Sequence, residues 1–294
     1  MKSLGRILTA MITPYDEDGE VDVVEAARIA KFLVARGNDG VVVAGSTGEG
    51  NALENEEKLA LFAGVKAGLG SSGVVIAGTT GPNTRQSIAL TKQAVETGVD
   101  AILATVPAYV KPTQEGMLQH FGAIAESTTL PIVIYNIPGR TAANMLPATF
   151  TELCRRHANV VGIKESTGDV NQFTAILSER TRDDVRFWCG DDYIFLPSLA
   201  VGGYGVISVA GHLCGRELRA MAEAFDAGNV AAAAKIHRDL APLIAGLFTI
   251  SNPIPVKWAM ETCGFKVGPC RSPMGPMPAS LKAALEPLVA PFRP

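Results

Sequence analysis

The sequence predicts an α/β protein that folds as a (β/α)8 (TIM) barrel with a C-terminal helical extension. Three observations lead to this prediction. Short apolar runs recur at nearly regular spacing, they lack the polar and apolar alternation of half-exposed strands, and segments with helical periodicity lie between them. Such runs are typical of parallel strands covered on both faces, and eight of them close naturally into a barrel. A doubly wound open sheet is the alternative.

The eight predicted strands are the apolar runs themselves. In chain order they are Ile7 to Ile12, Gly40 to Ala44, Val74 to Ala77, Ala101 to Val106, Pro131 to Tyr135, Val160 to Ile163, Val185 to Cys189 and Gly205 to Val209.

The intervening segments carry helical periodicity and helix-end signals. In the first, apolar residues stand at positions 26, 29, 30 and 33, with Asp22 as the predicted N-cap and Gly37 as the predicted stop. Apolar residues at 59, 62, 63 and 69 mark the second helix. Positions 88, 91 and 95 mark the third, which Gly98 is expected to end.

One barrel-sized domain with a C-terminal extension is expected. Residues 1–225 form the barrel that carries the active site, and residues 226–294 form the helical extension packed on it. The extension includes the Ala-rich stretch Val230 to Ile236 and a Pro-rich segment from Pro269 to Pro278. Because no low-complexity linker separates the two parts, independent motion is not expected.

Composition excludes several classes of protein. Hydrophobic residues make up 47% of the chain and charged residues 19%, with a formal net charge of -3, so neither disorder nor a nucleic-acid-binding surface is predicted. The five cysteines include no CxxC pair and the four histidines lie far apart, which argues against a disulfide framework and a metal site. We expect a small-molecule partner and no cofactor.

The apolar stretches are short. None approaches the roughly 20 residues that span a bilayer, and the run near the N-terminus is too short for the apolar part of a signal peptide. We therefore expect a cytoplasmic protein that does not interact with membranes.

Lys164 is the most informative residue, because it follows the apolar run of the sixth predicted strand. Barrel active sites lie at the carboxyl ends of the strands. A lysine attacks a carbonyl only as the neutral amine, and apolar surroundings disfavour its ammonium form, so Lys164 is a candidate for Schiff-base chemistry. The alternative is a lysine whose amine reaches solvent from a strand end.

The second strand ends in the sequence GSTGEG, residues 45–50. Its glycines do not follow the P-loop order, no lysine follows them, and Glu49 would repel phosphate. Backbone amides with the hydroxyls of Ser46 and Thr47 would suit the carboxylate of a keto acid near a helix N-terminus. A glycine turn that serves only the backbone is an equally good interpretation.

Further polar residues follow other strands. Tyr109 and Tyr135 can pass protons to a substrate, or simply fill the barrel mouth. Arg140, after a Pro-Gly turn, can bind a carboxylate, although a surface arginine is the alternative. Asp191 and Asp192 are expected to cap the following helix rather than to bind metal.

The motifs GSTGE, PAY, YNIPGRT, GIKES and CGDD stand in order on strands two, four, five, six and seven. With them the chain resembles the 4-hydroxy-tetrahydrodipicolinate synthase (dihydrodipicolinate synthase) family over nearly its whole length. That family belongs with N-acetylneuraminate lyase and related class I pyruvate aldolases. The motifs shared by all these enzymes establish the superfamily, whereas Arg140 and the segment Ser251 to Trp258 favour the synthases.

The resemblance implies a role for each candidate residue. Lys164 would form the imine with pyruvate, and a proton relay would consist of Tyr135, Ser46 and Tyr109. Substrate-binding positions would be Thr47, Arg140, Gly190 and Ile207. Tyr109 would reach a neighbouring subunit's site in a homotetramer built as a dimer of dimers.

The implied reaction is condensation of pyruvate with L-aspartate 4-semialdehyde to 4-hydroxy-tetrahydrodipicolinate, the first committed step of the diaminopimelate route to lysine. The alternatives are a sister aldolase acting on a sugar acid, a non-catalytic keto-acid-binding protein, and a pyridoxal-phosphate enzyme. Two departures from the family pattern stand out. Serine replaces the usual threonine at Ser46, and lysine-inhibited relatives carry different residues at the positions of Asn55, Lys58, Gln86 and Ala108.

Overall fold

The computed structural model describes residues 3–294, so residues 1 and 2 of the predicted barrel domain lie outside the described part. Eight strands pair in the order β1 to β8 to form a closed barrel, which confirms the predicted fold. The strands are β1 (Ile7–Ala10), β2 (Gly40–Val43), β3 (Val74–Gly78), β4 (Ala101–Thr105), β5 (Ile132–Asn136), β6 (Val160–Glu165), β7 (Arg186–Cys189) and β8 (Gly205–Ser208).

Helices connect the strands and continue after the last one. They are α1 (Val23–Ala35), α2 (Asn55–Leu69), α3 (Thr84–Glu96), α4 (Gln114–Glu126), α5 (Pro138–Thr141), α6 (Pro147–Arg156), α7 (Val170–Ser178), α8 (Phe195–Ala200), α9 (Gly211–Asp226), α10 (Val230–Leu247), α11 (Ile254–Thr262) and α12 (Ala279–Val289). Short 3-10 turns lie at Asp192–Ile194 and Ala290–Phe292.

Local signals set several helix ends as expected. The Asp22 side chain caps α1 by accepting a hydrogen bond from the Glu25 amide at 2.8 Å. Gly37 and Gly98, which follow the ends of α1 and α3, have φ angles of 97° and 78°. A residue with a side chain pays a steric cost in this left-handed region, so glycine is suited to ending the helix there.

The sixth strand is longer than its apolar run. The sequence predicted an end at Ile163, but β6 continues through Lys164 and Glu165, which pair with β5 on one side and with β7 on the other. Backbone pairing does not depend on side-chain polarity, and both residues are buried. Lys164 therefore lies on the strand itself.

The chain divides into two compact units. The first comprises the described residues up to Val75 together with Ser208–Pro294; in it α1 packs against α2, and α10 against α9 and α12. The second comprises Ile76–Ile207. In it the strands β4 to β7 pair side by side, α4 packs against α6, and α6 packs against α7. The expected division at residue 225 stays a prediction.

Candidate active site

Lys164 and Tyr135 lie side by side in the second unit. They form a register pair between β5 and β6, and their side chains are only 5% and 4% exposed. The Lys164 amine lies 4.1 Å from the centre of the Tyr135 ring. An amine and a phenol are thus held together away from bulk water, an arrangement suited to carbonyl attack with proton transfer.

Gly190 directly follows β7 and lies against Lys164. A Cβ atom added to it would come within 3.0 Å of the Lys164 Cε atom and 1.9 Å of the Ser166 Oγ atom. The Gly190 amide donates to the Glu165 carbonyl at 2.8 Å. A larger residue at 190 would collide with the Ser166 hydroxyl and crowd the Lys164 side chain, so the glycine preserves the space beside the lysine.

A buried polar network lies behind this pair, and sequence reasoning missed it. The Glu165 carboxylate accepts hydrogen bonds from the Asn136 side chain at 2.9 Å, the Thr167 amide at 2.8 Å and the Gln172 side chain at 3.2 Å. Burial raises the pKa of the Glu165 carboxyl, and these hydrogen bonds act in the opposite direction. The sequence did contain a signal for this network, because a polar residue directly follows each of the two site residues Tyr135 and Lys164.

Arg140 lies in α5, the short helix that follows β5, and its side chain is exposed. The predicted sharp turn is thus a single helical turn. It ends at Ala142 with a left-handed φ of 57°, and the Thr141 hydroxyl donates to the Ile137 carbonyl at 3.1 Å. An exposed guanidinium on a short, well-bonded turn can meet a carboxylate that arrives from solvent.

Tyr109 follows β4 and is 94% exposed. Its backbone has a left-handed φ of 72°, which is uncommon for a residue with a bulky side chain. The neighbouring Val110 is exposed as well. An aromatic ring this exposed is accessible to a second protein chain.

In the first unit, Ser46 and Thr47 lie on the tight turn after β2. The Gly50 amide donates to the Gly45 carbonyl at 3.0 Å, and a Cβ atom at Gly50 would approach the Ala44 carbonyl oxygen to 2.1 Å. Ser46 is half-buried, whereas Thr47 is buried and its hydroxyl accepts a hydrogen bond from Asn252 at 2.8 Å. The helix that follows, α2, begins only at Asn55.

Glu49 takes part in an ion pair that sequence reasoning also missed. Its carboxylate lies 3.0 Å from the Lys257 amine, which also donates to the Pro269 carbonyl at 3.0 Å. The Arg271 amide donates to the other oxygen of Glu49 at 2.8 Å. These bonds join the turn after β2 to residues beyond α10, all within the first unit.

The remaining candidates lie at the ends of β7 and β8. Ile207 is fully buried on β8. The Asp191 side chain accepts from the Tyr193 amide at 2.9 Å, which confirms the capping prediction for this residue. Asp192 is instead the first residue of the 3-10 turn and is buried.

Residues 3–294 contain no group of three or more His, Cys, Asp or Glu side chains placed to hold a metal ion. Within the same residues, no helix combines the length and the apolar character that a membrane crossing requires.

A closed parallel barrel with a buried lysine beside a tyrosine at the strand ends suits a lyase that acts through a lysine Schiff base. The sequence matches the profile of the Dihydrodipicolinate synthetase family over residues 3–290. The chain belongs to this family.

Individual relatives agree with this assignment. The 4-hydroxy-tetrahydrodipicolinate synthase of Moorella thermoacetica is 50% identical over 270 residues, which cover 92% of each chain. The enzyme of the same name from Bacillus subtilis is 44% identical and covers 94% of each chain. A crystal structure of a dihydrodipicolinate synthase from Bacillus anthracis superposes with a TM-score of 0.95 at 41% identity over 99% of both chains.

Proposed function

We propose that the chain condenses pyruvate with L-aspartate 4-semialdehyde to give 4-hydroxy-tetrahydrodipicolinate, the first committed step of the diaminopimelate route to lysine. The observation that carries the proposal is the buried Lys164 amine beside the Tyr135 ring in a chain of this family. The relatives described above bear the name of this activity, which favours it over a sister aldolase acting on a sugar acid.

Lys164 acts as the nucleophile. Its neutral amine attacks the C2 carbonyl of pyruvate, water leaves, and a protonated imine forms. The imine withdraws electrons from the adjacent methyl group, which loses a proton to give an enamine. Tyr135, with Ser46 and Tyr109, relays the protons that these steps release and consume. Because Tyr135 lies against the amine, it is the member of the relay that contacts the reacting nitrogen.

The second half of the reaction forms the carbon–carbon bond. The enamine carbon attacks the aldehyde of L-aspartate 4-semialdehyde, whose carboxylate is bound by Arg140. The amino group of this substrate then displaces the Lys164 nitrogen, closing the ring and releasing the product. Thr47 binds the pyruvate carboxylate, and the backbones of Gly190 and Ile207 line the pocket. No metal ion or organic cofactor is required by this scheme.

We also propose that the chain assembles into a homotetramer, a dimer of dimers, in the cytoplasm. The exposed Tyr109 and Val110 support an interface at this turn, because burying the apolar surface of both against a second chain is favourable. Native mass spectrometry should find four copies. Tyr109→Asp, which places a charge in that interface, should lower the number of copies.

Reductive trapping tests the proposed chemistry directly. Borohydride added with pyruvate should reduce the imine, and peptide mapping should find the adduct on Lys164. Lys257 is an internal control, because it is an equally buried lysine with a carboxylate partner. An adduct on Lys257, or none, would contradict the proposal.

The substrate is tested by comparing two assays on the same protein. Product should form from pyruvate with L-aspartate 4-semialdehyde, whereas N-acetylneuraminate should not be cleaved. The reverse result would favour the sister aldolase.

A further inference from the structure

The outer face of β5 and β6 carries a second buried pair directly behind Tyr135 and Lys164. Asn136 and Glu165 are the next register pair, and both are fully buried. Successive residues of a strand point to opposite faces of the sheet. Tyr135 and Lys164 therefore share one face, and the Asn136 amide and the Glu165 carboxylate meet on the other.

The hydrogen-bond partners of the Glu165 carboxylate are all donor groups. Asn136 and Gln172 donate to one oxygen, and the Thr167 amide donates to the other. A buried carboxylate is tolerated only when such donors replace its water shell. A neutral amide of the same shape would turn an NH2 group towards at least one of these donors, so this position requires the carboxylate.

Asn136 extends the network to the segment that carries Arg140. Its side-chain nitrogen also donates to the Asn144 side-chain oxygen at 2.7 Å, and its side-chain oxygen accepts from the Met145 amide at 3.0 Å. The segment 137–144 therefore leaves the strand after Asn136, and the residues at its far end hydrogen-bond to the Asn136 side chain. Arg140 lies within the segment that these bonds close.

We propose that Glu165 is a positioning residue, which acts through Asn136 to fix the Tyr135 and Lys164 pair on one side and the Arg140 segment on the other. The inference rests on the proposed function, since it concerns the same reaction. One carboxylate, remote from the substrate, thus links the imine-forming lysine to the group that receives the second substrate. Small displacements of either group are costly, because the reacting atoms must be aligned closely.

Glu165→Gln is the first test. We expect kcat to fall by roughly tenfold to a hundredfold, the KM for L-aspartate 4-semialdehyde to rise, and borohydride trapping of pyruvate on Lys164 to become slower. Gln172→Ala, at a half-buried helix residue, removes one donor to the Glu165 carboxylate together with the bonds of Gln172 to Asn144 and Met145, and should shift the same three quantities less. This milder variant keeps the test valid if Glu165→Gln does not fold.

Asn159→Ala is the matched control. The Asn159 side chain donates to the Ala125 and Thr128 carbonyls, both at 2.9 Å, just before the opposite end of β6. This variant should lose stability, yet its folded fraction should keep the wild-type kcat and KM. A purely structural role for Glu165 predicts the same behaviour for Glu165→Gln.

Wild-type kcat and KM in Glu165→Gln, or a loss of kcat no larger than its unfolded fraction, would overturn the inference. A wild-type protein that traps no pyruvate would instead reject the proposed function.

Discussion

Lys164 and Lys257 are buried almost equally, with 5% and 3% of their surfaces exposed, yet their amines have different neighbours. The Lys257 amine is held by the Glu49 carboxylate and a backbone carbonyl, each at 3.0 Å. The Lys164 amine faces the Tyr135 ring, and Gly190 leaves room beside it. Burial alone therefore does not identify a catalytic lysine. The groups around the amine decide whether it serves structure or chemistry.

Replacing Lys164 should have the largest effect on activity. Lys164→Met keeps the length of the side chain but removes the nucleophile, so kcat/KM should fall by at least roughly 10⁴-fold, as measured by product formation. Stability should change little, because no buried ion pair is broken. Turnover near the wild-type rate would show that Lys164 is not the nucleophile.

Replacing Lys257 should have the largest effect on stability. Lys257→Met leaves the buried Glu49 carboxylate without its cation, which should lower the free energy of unfolding by about 3–5 kcal/mol in urea titrations. Adding Glu49→Gln should restore part of the loss, because the uncompensated charge is removed. Unchanged stability in Lys257→Met would contradict the structural role assigned to Lys257.

Arg140 extends the comparison to an exposed cation in the unit that holds Lys164. Arg140→Ala should lower kcat/KM for L-aspartate 4-semialdehyde by roughly 10- to 100-fold through loss of charged hydrogen bonds, with little change in stability. Trapping of pyruvate on Lys164 should be unaffected. The control is Arg155→Ala, which removes an exposed arginine paired with Glu152 on α6 and should leave kinetics unchanged.

The smallest expected effect is the pH dependence of stability that comes from His212, a buried histidine. The His212 ring donates from Nδ1 to the Val209 carbonyl at 2.8 Å and accepts at Nε2 from the Ile12 amide at 3.1 Å. Burial lowers its pKa to about 4. The unfolded state, with a pKa near 6.5, therefore binds more protons below that pH, and stability is lost as pH falls from about 6.5 towards 4.

Between pH 7 and pH 5.5 the contribution of His212 should amount to about 1 kcal/mol, seen as a lower unfolding midpoint. His212→Gln should be less stable at pH 7 but should lose less between the two pH values. His120, whose pKa burial also lowers to about 4, adds a loss of the same sign in both proteins. An equal pH dependence in the two proteins would contradict the assignment of this effect to His212.

The ends of all eight strands were predictable to within two residues, because each strand is a short apolar run. In β6 the pairing extends beyond the run through two buried polar residues. The candidate site residues could be chosen from the sequence, since barrel catalysis occurs at the strand ends and the motifs stand there in order. Their individual roles stay predictions that the variants above can test.

The partners of the buried polar residues were not predictable. Glu49 was expected only to repel phosphate, and no role was expected for Glu165. Their partners, Lys257 and Asn136, lie 208 and 29 residues away in sequence. Hydrogen bonds across such separations depend on how elements pack, and no local pattern in the sequence encodes them.

By itself the sequence determined the alternation of strands and helices, the family and the candidate residues, because periodicity and local motifs are properties of neighbouring positions. Only the tertiary structure decided that Lys164 lies within β6 against a tyrosine, that Lys257 is paired with a carboxylate, and that Glu165 accepts a hydrogen bond from Asn136. Each of these depends on the burial of charged or polar groups, whose cost is met only by partners that folding brings together.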